Sequence, residues 1–464
     1  MLPTLRQTLS GWGRYPTSSA TLHHAASEAE VQSLVEHPGT GGIVSRGCGR
    51  SYGDAAQNAE GQVLSHRALR AVLRFDQELG VVECEAGISL AELIALVLPF
   101  GWFLPVTPGT AHVTLGGAIA ADVHGKNHHR DGSIARWITD LHLATPALGV
   151  VRCARDERAS LFHATLGGMG LTGAIVRATM RLRRVESQAI RCDTTRAPDL
   201  DGVLAALEEA DARHPYTVAW LDGLATGQRL GRGVVFGGAH ATKAESAGFA
   251  WAALDRDVRP GQARVRVPFE VPSVVLARPA VRAFNSAYYG THPSSRDRLT
   301  PLAPFFHPLD AVGRWNLLYG NRGFVQYQCV IPGSDASAIE RMLSHVSRSG
   351  RASFLAVLKR FGAASEGPLS FPAAGYTLSL DFPVRDGLGQ LARELDRMVL
   401  DRGGRVYLAK DALLDAATFR DMYPRAAELA AVRAEVDPEG HLCSSLARRV
   451  GLVRADRARF SAPR

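Results

Sequence analysis

The chain has 464 residues, of which 46% are apolar and 21% are charged, with a formal net charge of +8. This length predicts two or three domains, and the composition is that of a soluble globular protein. The longest apolar run, 88–106, is interrupted by charge, proline and glycine, which excludes a transmembrane helix. The N-terminus lacks a basic start followed by an apolar core, so we expect no signal peptide.

The cysteine spacing and the net charge indicate which bonds, metals and ligands to expect. The six cysteines are scattered without a CxxC pair, so we predict free thiols and neither a disulfide framework nor a metal site. The positive charge fits an anionic cofactor, an anionic substrate or a membrane surface. Part of it lies in a C-terminal segment for which we predict a solvated, frayed tail, at Arg449, Arg454, Arg457, Arg459 and Arg464.

The first 185 residues alternate short periodic elements with glycine-rich turns. Ser27–Glu30 is a capping box that opens a helix through Val35. Further predicted elements are a helix at 90–97, strands at 43–45, 81–85 and 174–182, and a strand pair at 141–143 and 150–153.

Three glycine-rich stretches, 46–54, 105–129 and 162–173, each lie beside a strand. Successive backbone N–H groups in the first can form an anion-binding nest, but no GK[ST] or GxGxxG spacing is present. Glycines in the second allow close approach of a ligand, and the stretch ends in polar residues from His124 to His129. Together they predict one large, flat, anionic ligand lying across several loops.

The pattern changes after about residue 185, and 183–187 is a candidate boundary. We predict strands at 216–222, 324–330, 354–361, 376–382 and 405–408, and helices at 388–398 and 426–436. Alternation places Gln326 and Gln328 on one face, either towards solvent or towards a polar pocket. Lys359 lies on an otherwise apolar face, where it either extends to water or holds an anion. The region 286–309 lacks periodicity and is a candidate mobile loop.

Several motifs carry a family resemblance. RGCGRSYGDAAQN (46–58), PGTAHVTLGGAIAADVHGKNHH (108–129) and LFHATLGGMGLTG (161–173) resemble the flavin-binding half of the vanillyl-alcohol-oxidase-type flavoproteins. FHPLD (306–310), WNLLYGNRGFVQYQ (315–328), LKRFG (358–362), PLSFP (368–372) and YLAKD (407–411) resemble the branch that oxidises the 2′-position of polyprenyl-phosphoryl ribose. The resemblance extends from Gly11 to about Arg449.

The resemblance implies an α+β fold of the two-domain PCMH type, with a sheet-and-helix substrate domain inserted into an FAD-binding domain. The implied boundaries are 1–187 for the N-terminal part of the FAD domain and 188–404 for the substrate domain. Residues 405–464 would return to the FAD domain and end in a basic tail after about 450.

The resemblance also implies FAD and the residues that would bind it. Some relatives attach the flavin covalently through a histidine after the glycine turn; Arg50 stands there, which implies non-covalent FAD. The implied cofactor-binding residues are Arg46, Gly47, Cys48, Gly49, Arg50, Ser51, Tyr52, Pro108, Gly109, Thr110, Thr114, Gly116, Gly117, Ala121, Gly125, Asn127, Gly173, Ile175 and Tyr407.

The implied catalytic residues are His124, Lys410 and Tyr52. The sequence does not decide which of His124 and Lys410 places the base and which stabilises charge. Lys410 near the flavin would also stabilise its anionic reduced form. The implied substrate-binding residues are Trp220, Asn316, Gln326, Gln328, Lys359, Phe361, Thr377, Ser379 and Lys410.

Two sites depart from the family pattern. Ser379 stands where the family has a cysteine that nitroaromatic inhibitors attack, and Thr377 replaces an asparagine. Phe306 replaces a tyrosine, so one pocket hydroxyl is missing. We expect Ser379 to remove the covalent chemistry of those inhibitors.

The function implied is oxidation of the 2′-hydroxyl of a polyprenyl-phosphoryl-β-D-ribofuranose by hydride transfer to flavin. An NADH-dependent short-chain reductase would complete a 2′-epimerisation, in the cytoplasm or at the periphery of the inner membrane, without nucleic acid. One alternative is a soluble sugar or alditol oxidase of the same flavin family. Another is a non-catalytic basic protein that binds anionic polymers, against which the glycine-rich turns argue.

Overall fold

The computed structural model describes residues 4–247, 249, 263–333, 336–351 and 354–453. Its first part contains a four-stranded sheet of order β1-β2-β4-β3 and an antiparallel five-stranded sheet of order β5-β6-β10-β8-β9. The strands of the first sheet are β1 Thr4–Ser10, β2 Thr17–His24, β3 Ile43–Arg46 and β4 Gln62–Ser65. Those of the second are β5 Val72–Asp76, β6 Val81–Glu85, β8 Ile138–Thr145, β9 Gly149–Ala154 and β10 Ala174–Arg181. A short ribbon joins β7 Trp102–Phe103 to β11 Arg183–Arg184.

The helices of this part follow the sequence signals. They are α1 Glu28–Glu36, α2 Leu90–Val97, α3 Leu115–Ala120, α4 His128–Asp131 and α5 Ala159–Thr165. Ser27 caps α1 by accepting from Glu30 N, but the Glu30 carboxylate accepts from Ala26 N instead of completing the box at the cap residue. Ser89 and Glu92 form a complete capping box on α2. The predicted helix running from the Ser27–Glu30 box through Val35, the predicted helix at 90–97 and the predicted strand pair are confirmed.

The second part is organised on an antiparallel eight-stranded sheet of order β16-β12-β14-β13-β19-β20-β18-β21. Its strands are β12 Ala189–Ala197, β13 Tyr216–Leu221, β14 Gly233–His240, β16 Ser295–Pro301, β18 Phe324–Pro332, β19 Ala356–Phe361, β20 Gly375–Pro383 and β21 Arg405–Val406. A parallel pair joins β15 Val265–Arg266 to β17 Val312–Gly313. The strand predicted at 405–408 is thus shorter, and it still belongs to this sheet.

The remaining helices belong to the second part and to the C-terminal segment. They are α6 Leu200–Arg213, α7 Lys243–Ser246, α8 Arg278–Thr291, α9 Leu302–Phe306, α10 Ser337–Ser349, α11 Leu388–Leu400, α12 Ala416–Met422, α13 Ala426–Val436 and α14 Ser445–Arg449. α6 packs on β12, β13 and β14, and α11 packs on β18 and β21. The main apolar core is continuous across the five-stranded and eight-stranded sheets, so the two parts are packed together.

Two expectations are wrong. The region 286–309 is not a loop, since it contains the end of α8, strand β16 and helix α9. β16 pairs with the edge of β12, and this long-range pairing overrides the weak local pattern. Arg449 does not belong to a frayed tail, because its guanidinium bonds the buried carboxylates of Asp54 and Asp411. The tail from 454 onwards lies outside the described residues.

Candidate active site

A cavity of about 850 Å³ lies between the glycine-rich loops of the first part and the uncovered face of the eight-stranded sheet. All three glycine-rich stretches contribute to its wall, as do β13, β18, β19, β20 and the segment Tyr407–Lys410. This volume is in the range of cofactor and substrate pockets. The predicted loop cluster and the predicted polar strand face therefore meet at one cavity.

The loop side of the cavity is formed largely by backbone of the glycine-rich stretches. A Cβ added at Gly47 would lie 2.1 Å from Thr114 Oγ1, so the first two glycine-rich stretches are in direct contact. A Cβ added at Gly109 would meet nothing within 4 Å, so the backbone there is open to an approaching ligand. Arg50 lies 4.0 Å over the Trp12 ring, and burial lowers its pKa. Bare backbone with one buried cation fits the expected FAD.

Valine at Gly109 tests this fit. Gly109→Val is expected to fold normally, since no atom of the protein lies where the side chain would be, but to lose bound FAD. Gly290→Val is the matched control, because Gly290 in α8 also has open space around an added Cβ. Flavin absorbance per protein, with melting temperature as the folding check, measures both. Normal FAD content in Gly109→Val would mean that the cofactor does not lie against this backbone.

His124 lies in an aromatic box at the sheet side of the cavity. Its ring centroid is 4.7 Å from that of Phe361, 5.5 Å from Phe371 and 5.2 Å from Tyr407. Burial, with Lys359 as the next contributor, holds its pKa well below the usual value. His124 is therefore neutral at physiological pH.

The orientation of the Gln328 amide fixes the tautomer of His124. Thr377 Oγ1 donates to Cys329 O at 2.9 Å, so it accepts the hydrogen bond from Gln328 Nε2, 3.2 Å away. Gln328 Nε2 donates its second hydrogen to His124 Nε2, and the two nitrogen atoms are 2.9 Å apart. His124 thus accepts at Nε2 and carries its proton on Nδ1, which is buried without a partner among the described residues.

Lys410 is held beside Tyr52 by contacts between distant chain segments. Its Nζ lies 3.6 Å over the Tyr52 ring, and Tyr52 N donates to Ala409 O at 2.9 Å. Burial lowers the pKa of Lys410 to about 7, against the opposing effect of Asp381. An amine with this pKa exists half in its neutral form at neutral pH and can accept a proton.

Asp381 is a buried carboxyl that links two candidate residues. Its oxygens accept from Gln326 Nε2 at 2.6 Å and from Tyr319 Oη at 3.0 Å. Burial raises its pKa to about 7, while Gln326, Tyr319 and Lys410 act in the opposite direction. Asp381 therefore fixes the Gln326 amide and adds to the electrostatic environment of Lys410.

Two lysines, Lys126 and Lys359, place their amines in another part of the cavity. Burial lowers the pKa of Lys359 to about 8. It lowers that of Lys126 to about 7, with Lys359 as the next contributor. Lys126 Nζ donates to the carbonyl oxygens of Phe305 and Phe306. Within the described ranges no carboxylate pairs with either lysine, and none contributes to their pKa. A buried ammonium pair without a carboxylate is costly unless an anionic ligand completes it.

Most of the sequence-predicted site residues line this cavity, including His124, Tyr52, Lys410, Gln326 and Lys359. Five lie behind the wall: Arg46, Asn127, Asn316, Phe361 and Thr377. They support the wall: Arg46 binds the carbonyls of Ser10 and Ala56, Asn127 that of Pro105, and Asn316 that of Trp12. Phe361 packs on His124, and Thr377 orients Gln328.

Sequence reasoning missed Lys126, Asp381 and Arg298, of which Lys126 and Arg298 line the cavity. Asp381 could have been found, because alternation along β20 places it on the same face as Thr377 and Ser379. Lys126 belongs to the polar run 124–129 noted in the sequence, but its contacts with Phe305 and Phe306, 179 and 180 residues away, are not visible in the local pattern. In the described part, no disulfide links the cysteines, and neither a metal-binding group nor a helix long and apolar enough to span a membrane is found.

Comparisons with known proteins point to a family of flavoproteins. Residues 20–154 match the FAD binding domain family, and residues 331–450 match the D-arabinono-1,4-lactone oxidase family. The chain is 37% identical to decaprenylphosphoryl-β-D-ribose oxidase of Mycolicibacterium smegmatis, over 97% of this chain and 99% of that protein. It is 40% identical to an uncharacterised protein of Streptomyces coelicolor, over 79% of this chain and all of that one. Over 39% of its length it is 26% identical to a mitochondrial L-galactono-1,4-lactone dehydrogenase of Brassica oleracea, covering 30% of that protein. The predicted two-domain α+β flavoprotein fold is confirmed.

Proposed function

The chain belongs to the family of FAD-dependent decaprenylphosphoryl-β-D-ribose oxidases, and we propose that it oxidises the 2′-hydroxyl of a polyprenyl-phosphoryl-β-D-ribofuranose to the 2′-keto sugar. When bound, FAD supplies the acceptor for the hydride that leaves C2′. The glycine-rich wall around Gly47, Gly109 and Arg50 would hold it without a covalent bond.

The buried lysine pair carries this proposal. Burial lowers the pKa of both lysines, Lys359 further lowers that of Lys126, and no carboxylate is bonded to either in the described ranges. A phosphodiester is the part of the substrate that would neutralise them. Lys359 also acts on the pKa values of His124 and Lys410, so the anion and the hydroxyl would lie in neighbouring parts of one cavity. A free sugar or alditol has no group that needs these lysines.

We assign Lys410 as the base that accepts the proton of the 2′-hydroxyl. Its lowered pKa makes the neutral amine available near pH 7, whereas Nε2 of His124 is already occupied by Gln328. The role of His124 is to donate from Nδ1 to a substrate oxygen, which holds the sugar in place. Tyr52 positions the Lys410 amine by packing under it.

The 2′-keto product and its prenyl chain indicate a second enzyme and a membrane as partners. A 2′-keto sugar has lost the stereocentre at C2′, so a reductase that delivers hydride to the opposite face yields the arabinose form. We assign this step to a separate NADH-dependent short-chain reductase. The prenyl chain of the substrate also requires contact of the enzyme with a membrane at its periphery.

Anaerobic reduction of the flavin tests the proposal. Addition of farnesyl-phosphoryl ribofuranose to the purified holoprotein is expected to bleach its visible absorbance, and acid precipitation is expected to release the FAD. Lys359→Gln should bleach at least tenfold more slowly at limiting substrate, whereas Arg360→Gln on the same strand should not. Bleaching by free alditols but not by the lipid sugar would contradict the proposal and indicate a soluble sugar oxidase.

The pH dependence of bleaching reports on Lys410. At saturating substrate, where the phosphodiester would keep Lys126 and Lys359 protonated, the rate is expected to rise with pH through about 7 and to level off above it, because the neutral amine is the active form. Asp381→Asn removes the carboxylate that raises the pKa of Lys410, so the midpoint should move to lower pH. Asp396→Asn is the control, since Asp396 is another buried carboxyl bonded to a tyrosine, Tyr327. An unmoved midpoint in Asp381→Asn, or an equal shift in the control, would exclude the role of Asp381.

A further inference from the structure

Helix α8 exposes an apolar stripe. Ala280, Ala283, Phe284 and Ala287 have helical spacing and are all exposed, with 47% of Phe284 accessible. Phe269 and Val275, just before the helix, are 65% and 46% accessible. Exposed aromatic side chains are unusual on a water-facing surface, and here they are clustered in sequence.

The charge around this stripe has one sign. Residues 263–298 contain six arginines and two carboxylates. Both carboxylates are neutralised, since Glu270 pairs with Arg14, and Asp297 lies 3.0 Å from Arg191. Arg296 is paired as well, with Asp193 and Glu209, so the positive excess is carried by arginines such as Arg278 and Arg282. Helix α8 itself contains Arg278 and Arg282, both exposed, and no acidic residue. An apolar stripe beside arginines is typical of helices that lie in the plane of a lipid interface.

The same helix forms the mouth of the cavity. Phe284 and Tyr288 line it, and the Tyr288 ring centroid is 4.5 Å from that of Trp220. Phe284 also packs on Phe354, at 5.3 Å between centroids. Because Phe284 belongs both to the cavity wall and to the exposed stripe, an apolar chain leaving the cavity passes onto this surface.

We propose that this α8 surface, formed by Phe269, Val275, Ala280, Ala283, Phe284 and Ala287 with Arg278 and Arg282, docks on an anionic lipid bilayer. The inference rests on the proposed function, which supplies the prenyl chain. Charge complementarity selects the occupant: arginines without free carboxylates suit phospholipid headgroups, and small apolar residues with two phenylalanines suit shallow insertion. Docked in this way, the enzyme would take the prenyl chain from the membrane directly into the cavity.

Vesicle flotation of the holoprotein tests the surface independently of turnover. The wild type is expected to float with vesicles of phosphatidylcholine and phosphatidylglycerol (7:3) and much less with pure phosphatidylcholine. Phe269→Glu/Ala283→Glu should lower the partition coefficient about tenfold, the loss expected for one buried aromatic side chain. Leu79→Glu/Leu148→Glu is the matched control, because it adds the same charge at exposed leucines on turns of the five-stranded sheet.

Activity on a water-soluble substrate separates the two hypotheses. Neither double variant touches the cavity wall, so all proteins should bleach equally with farnesyl-phosphoryl ribofuranose in solution. Ala287→Glu, a single exchange at an exposed helix position, guards against misfolding and should also weaken flotation. Flotation that is unchanged in these variants, or absent in the wild type, overturns the docking surface while bleaching stands. If the wild type floats but does not bleach, and the variants lose flotation, the proposed function is overturned and the docking surface stands.

Discussion

Replacing Lys410 with methionine is expected to slow anaerobic flavin reduction by about 10³-fold, the range found when a general base is removed. Methionine keeps the length and the apolar stem over Tyr52 but has no amine. FAD content should not change, since the glycine-rich wall that would hold the cofactor is untouched. Stopped-flow absorbance after mixing with farnesyl-phosphoryl ribofuranose measures the rate.

Lys410→Arg decides which property of the lysine matters. Arginine restores the positive charge but cannot give up its proton at these pH values. If Lys410 is the base, Lys410→Arg is as slow as Lys410→Met. Recovery of the rate in Lys410→Arg would contradict the base assignment and indicate that the charge alone supports the reaction.

Replacing Arg449 with methionine is expected to destabilise the protein by about 3–5 kcal/mol, the cost of breaking a buried ion pair. Its guanidinium bonds Asp54 at 2.7 and 3.0 Å, Asp411 at 2.8 Å and Leu414 O at 2.7 Å. Both carboxylates are buried and would be left uncompensated. Urea unfolding followed by circular dichroism measures the change, and the variant should also release FAD at lower urea.

Arg425→Met is the matched control for this loss. Arg425 forms a pair with Glu428 on the exposed surface of α13, where ion pairs contribute little. No measurable change in the unfolding midpoint is expected there. If Arg449→Met were as stable as Arg425→Met, the ion pairs of Arg449 with Asp54 and Asp411 would not stabilise the packing of the C-terminal helix α14.

Sequence reasoning succeeded where the signal is local. Alternation along 324–330 correctly grouped Gln326 and Gln328, a capping box located α1, and amphipathic spacing located α2. It could not decide between a solvent-facing and a pocket-facing pair of amides, because that depends on the glycine-rich loops packed opposite the strand. Both glutamines are buried, so the pocket alternative is correct.

The failures concern long-range partners. Strand β16 was missed because its pairing with β12, about a hundred residues earlier, is absent from its own pattern. Arg449 was predicted to belong to the frayed basic tail, because its partners Asp54 and Asp411 lie 395 and 38 residues away in the chain. The protonation of His124 likewise depends on a hydroxyl of β20, which no local motif could reveal.

The contact beside Lys410 joins segments that are far apart in the chain. Tyr52 N donates to Ala409 O, and a Cβ added at Gly53 would lie 1.9 Å from Asp411 O. During synthesis the N-terminal segments emerge from the ribosome long before residues 409–411 and Arg449. The reacting end of the cavity is therefore completed only near the end of translation, so premature termination before residue 410 yields a chain that cannot assemble this site.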